Sequence, residues 1–77
     1  MPTVLRIAGF RFFFYSNEGS EPPHIHIERG NDVAKFWLTP VELVSSAGFS
    51  AREINQLRKL VMENQVHLFQ SWHDYFN

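Results

Sequence analysis

With 77 residues and a formal net charge of −1, from seven basic and eight acidic side chains, the chain has room for one domain and lacks the charge excess of a non-specific nucleic-acid binder. Its 44% apolar and 16% aromatic content excludes a disordered chain, and the absence of cysteine excludes disulfides. Domains this small commonly draw extra stability from a bound ion or a partner, so both are expected candidates.

The N-terminus has no charged leader followed by a long apolar stretch. The longest fully apolar run, Phe12 to Tyr15, is far too short for a membrane span. A cytoplasmic protein without membrane contact is therefore expected. Thr3–Ile7 and Phe10–Ser16 read as strands joined by a tight turn at Ala8-Gly9. Residues 17–23 have loop composition, and Pro22-Pro23 hold the chain extended as it enters His24-Ile25-His26-Ile27-Glu28. Gly30-Asn31 separates Ile25–Arg29 from Val33–Leu38 as a second hairpin turn. Thr39-Pro40-Val41-Glu42 carries both a helix-start signature and strand-like alternation. The strand or irregular reading is preferred, because no long helical period follows before Gly48.

Ser50 and Glu53 form a capping box, with Phe49 and Ile54 placed as a hydrophobic staple. No proline or glycine follows Ala51, so one long helix over about 50–76 is predicted. At 1.5 Å per residue it would run roughly 36 to 39 Å and overhang a sheet about 20 Å wide. Ile54, Leu57, Val61, Leu68, Trp72 and Tyr75 share one stripe, assigned to the core. Met62, Val66, Phe69, His73 and Phe76 form a second stripe. That stripe either wraps the sheet edge or serves as a dimer or partner surface.

Strand alternation turns Phe10, Phe12 and Phe14, Ile25 and Ile27, and Ala34, Phe36 and Leu38 toward the helix. The opposite face receives Arg11, Phe13, Tyr15, His24, His26, Glu28, Val33, Lys35 and Trp37. Plain structural packing of aromatics is one reading of this face. A second is RNA contact or metal-independent cleavage. Here Arg11, Phe13, Tyr15, Lys35 and Trp37 contact the ligand, and His24 and His26 serve as catalytic acid and base. A third is a divalent metal such as zinc held by His24, His26 and Glu28; no other cofactor is expected. A fourth is protein binding. His67, His73 and Asp74 are placed on the helix, behind the other face.

The chain resembles the domain of unknown function 4160 family. The segments that carry the resemblance are Met1-Pro2-Thr3-Val4, Gly9 to Asn17, Glu21-Pro22-Pro23-His24-Ile25-His26-Ile27, Ala34 to Leu38, Gly48 to Glu53 and Trp72 to Phe76. The Pro-His-x-His signature is its specific element, and Glu28 lies outside it. The resemblance implies a toxin–antitoxin-like pairing with a small protein encoded nearby and, secondarily, an RNA-directed toxin. The expectation as a whole is a single α+β domain over 1–77, strand-rich over 1–48. An antiparallel sheet of four or five strands is packed by one long C-terminal helix. Its expected function is that of an interaction module, with a nearby-encoded partner or a homodimer contact on the second helix stripe and the His24/His26 face as effector site.

Overall fold

The computed structural model describes residues 3–76, so the Met1-Pro2 part of the resemblance lies outside the described residues. Five strands form one antiparallel meander: β1 (Thr3–Ile7), β2 (Phe10–Phe13), β3 (His24–Arg29), β4 (Asp32–Leu38) and β5 (Val41–Ala47). Ala8 and Gly9 take φ of 53° and 83° at the first turn. This positive-φ pair gives the primed twist that suits a two-residue hairpin. The Thr39-Pro40 segment is the turn between β4 and β5, and Val41–Ala47 is a strand.

Side-chain alternation then sorts the faces. Phe10, Phe12, Phe14, Ile25, Ile27, Ala34, Phe36 and Leu38 are buried in one cluster with Ile54, Leu57, Val61, Leu68 and Trp72 from the helical segment. Burial of this many large apolar side chains, at roughly 1.5–3 kcal/mol each, is the main force closing the fold.

The helical segment is two helices: α1 (Ala51–Glu63) and α2 (Gln65–Phe76). Ser50 caps α1 as expected: its Oγ accepts from the Glu53 N–H, and the Glu53 carboxylate accepts from the Ser50 N–H. The break falls at Asn64, whose φ of −111° and ψ of 14° leave the helical region. Its side-chain Nδ2 donates to the Leu60 carbonyl at 2.8 Å, beside the bond of 3.1 Å that the Asn64 backbone N–H makes to the same oxygen. Gln65 Nε2 donates to the Leu38 carbonyl at 2.5 Å and pins the start of α2 to the end of β4.

The break also shortens the helical segment. A straight helix of roughly 36 to 39 Å would exceed the longest dimension of the molecule, 34 Å. Bending at Asn64 keeps Leu68 and Trp72 over the sheet. In the last turn of α2 the side chains depart from the expected stripe. Tyr75, expected in the core, is 46% exposed, whereas Phe76, expected on the free stripe, turns inward onto Phe14 and Trp72. At the other end, Arg29 pairs with Glu53 and ties β3 to the first turn of α1. No helix among the described residues is long and apolar enough to cross a membrane.

Candidate functional site: an imidazole–carboxylate cluster at the sheet rim

β3 opens at His24, and its register sets His24 opposite Trp37 and His26 opposite Lys35 on β4. The two imidazoles thus leave the strand on the same side, as alternation requires. Their surroundings differ. His26 is half-buried on the sheet face, stacked on Phe13 at 5.5 Å and edge-on to Tyr15 at 4.8 Å. His24 is 0% exposed. Trp72 of α2 lies 4.7 Å from its ring and Trp37 5.9 Å away, so the outward orientation expected for both rings holds for His26 alone. The cause is α2, which the break at Asn64 swings over the sheet end where β3 begins.

The carboxylate beside the imidazoles comes from the loop between β2 and β3. Glu18 Oε1 lies 2.9 Å from His24 Nε2 and 3.0 Å from His26 Nε2, and it also accepts from the Tyr15 N–H at 3.0 Å. Glu28, expected as the third group, sits elsewhere: Arg11 faces it across β2 and β3 and holds its carboxylate at 2.6 Å. Sequence reasoning did not single out Glu18, because loop composition carries no sign of where a loop folds back. The available signal was the presence of two glutamates, Glu18 and Glu21, just ahead of the Pro-His-x-His run.

His24 Nδ1 lies 3.0 Å from the Pro22 carbonyl oxygen. A carbonyl only accepts, so Nδ1 carries hydrogen and donates it. Nε2 then faces Glu18, but the contact is not aligned as a hydrogen bond, and this buried nitrogen has no hydrogen-bond partner among the described residues. His26 Nε2 is within 3.0 Å of both Glu18 oxygens.

The rest of the face is charge-paired. Arg11 stacks over Phe13 at 4.3 Å while bonded to Glu28. Lys35 bonds Glu21 at 2.7 Å and lies 5.0 Å from the centre of the Trp37 ring. Phe13, which the strand pattern sends to the open face, is buried by these neighbours. An open groove of about 320 Å³ adjoins His26, lined by Phe13, Tyr15, Lys35, Ser45 and Ser46 among others. The RNA-contact residues expected from sequence are therefore gathered on one face, but both of its cations already have carboxylate partners.

Burial holds the His26 pKa below its ordinary 6.5, against the opposing pull of the Glu18 hydrogen bond and charge. Burial acts on Glu18 in the raising direction. The hydrogen bonds from His26 and the Tyr15 N–H act the other way, and the carboxyl lies below its ordinary 4.5. Both groups bind protons more weakly folded than unfolded, so their contribution to stability is complete above about pH 6.5. It declines as pH falls through the folded pKa of His26, and again through that of Glu18. Thermal melts of the ligand-free chain from about pH 8 to about pH 4 check this sign. The midpoint falls on acidification, and His26→Gln loses the first decline; a midpoint that rises in acid would contradict the assignment.

A five-strand antiparallel meander covered by a broken helix, with a carboxylate and two imidazoles gathered where loop and helix meet, defines a small α+β domain built around one polar cluster. The chain belongs to the domain of unknown function 4160 family, whose model matches residues 9–73. The matched span contains Glu18, His24, His26 and Trp72. No significant match was found among curated proteins or solved structures.

Proposed function

We propose that the chain is a small protein-interaction module, one component of a toxin–antitoxin-like pair. On this reading the exposed stripe that runs from Met62 at the end of α1 into α2 docks a small partner encoded nearby, and the His24/His26 face is the effector site. The observation that supports docking is the exposure of Met62 (60%) and Val66 (80%) beside half-buried Phe69. Thr39, Gln65, Val66, Phe69 and Gln70 line a shallow groove of about 250 Å³ there. Exposed apolar side chains beside an apolar groove support a surface that is covered in use. Phe76 is excluded from that surface by its contacts with Phe14 and Trp72, and His73 borders it through its ring contact with Phe69.

The metal-independent ribonuclease alternative has less support. It needs both imidazoles to reach a substrate, and His24 has no exposed surface. It also needs free cations for phosphate, whereas Arg11 and Lys35 are each paired.

Sedimentation of the chain, alone and with the product of the neighbouring gene, tests docking. A complex is expected that Val66→Asp weakens at least about tenfold, roughly 1.4 kcal/mol, while leaving the melting temperature unchanged. A concentration-dependent dimer of the chain alone, disrupted by the same variant, would make a second copy the occupant. A monomer that ignores the neighbour's product would end the docking reading.

A further inference from the structure

We infer that Glu18, His24 and His26 form a binding site for a divalent transition-metal ion of the zinc class, a role independent of partner docking by α2. The first ground is spacing. One ligand atom from each residue can be chosen so that all lie within 4.8 Å of one another. Ligands of a tetrahedral zinc ion, each about 2.0–2.2 Å from the metal, stand roughly 3.3 Å apart. The contacts of 2.9 and 3.0 Å from Glu18 to the two imidazoles are within a few tenths of that separation.

The second ground is His24. With Nδ1–H donated to the Pro22 carbonyl, the neutral ring has a bare lone pair at Nε2, buried and without a hydrogen-bond partner among the described residues, with a carboxylate oxygen 2.9 Å away. Two acceptors that close repel unless a positive species lies between them. The outer N–H bonded to a backbone carbonyl is also the arrangement that orients a metal-ligating histidine and fixes its tautomer. His26 joins as the neutral ring, its hydrogen moving from Nε2 to Nδ1 so that the Nε2 lone pair faces the ion and no net proton is released.

The third ground is charge. Glu18, Glu21 and Glu28 face Arg11 and Lys35 on this side of the sheet, and each cation is bound to a carboxylate other than Glu18. The surplus negative charge sits at the cluster and favours a cation over an anion. Two nitrogens and one oxygen suit zinc; magnesium and calcium prefer all-oxygen sets. Three protein ligands leave room for exchangeable water, and the groove at His26 opens on that side.

Calorimetric titration of the chelator-stripped full chain with zinc, and separately with magnesium, tests the site. One zinc per chain is expected, with no saturable magnesium binding and a zinc-dependent rise in melting temperature. Glu18→Gln should weaken zinc binding at least about tenfold, while Glu28→Gln binds as the parent does. If Glu18→Gln melts too low to titrate, His26→Gln carries the comparison. Absence of saturable zinc uptake by the parent would overturn the site and leave a proton as the species between His24 and Glu18. Equal zinc affinity in parent and Glu18→Gln, or a matching loss in Glu28→Gln, would overturn it as well.

Discussion

Trp72→Ala is expected to destabilise the domain by about 3–5 kcal/mol, the range for removing a large buried aromatic side chain. The indole is 5% exposed and packs on Phe14, Phe76 and His24 at ring separations of 5.6, 4.2 and 4.7 Å. A single domain of this size has a total stability of roughly 4–12 kcal/mol, so the variant sits near the edge of folding at room temperature. Urea denaturation followed by circular dichroism measures the loss. A change below about 1 kcal/mol would place Trp72 outside the core and remove the explanation for the enclosed His24. The same substitution uncovers the His24 ring, so the reactivity of that imidazole toward a histidine-modifying reagent should rise in the folded fraction.

Phe13→Ala is expected to cost about 3 kcal/mol and to expose His26. Phe13 lies outside the main apolar cluster, yet Arg11, Tyr15 and His26 bury it on the sheet's other face. Its removal leaves a gap that these polar-tipped neighbours fill only in part, which places the cost at the lower end for phenylalanine. Because burial is the leading cause of the low His26 pKa, the pKa in the variant should move up toward 6.5. Proton NMR titration of the imidazole resonances reads that movement directly. An unchanged or lowered value would show that Phe13 is not what shields His26.

These effects also mark how far sequence reasoning reaches. Period-two alternation placed every buried side chain of the sheet's inner face, because a strand offers only two directions. Ser50 and Glu53 form their capping box because its chemistry is local, complete within four consecutive residues. What escaped was tertiary. Asn64 ends the first helix without proline or glycine, its side chain doubling the backbone bond to the Leu60 carbonyl while Gln65 is held by the end of β4. In the last turn Phe76 rather than Tyr75 turns inward, an outcome set by the Phe14 and Trp72 rings it meets and not by the stripe that places Leu68 and Trp72. Alternation likewise assigned His24 to a face but said nothing of what lies over it. Glu28 matched the strand period as a third ligand, while its register partner Arg11 had a stronger claim on it.

A Cβ built on Gly19 would come 2.7 Å from a ring carbon of Phe76, a distance that real side chains do not tolerate. The far end of the chain's second helix is therefore a doorstop for the residue adjoining Glu18. Any bulk acquired at position 19 must be matched by a smaller ring or a retreat at position 76. A residue fifty-seven positions away in sequence thus decides whether position 19 can be anything but glycine.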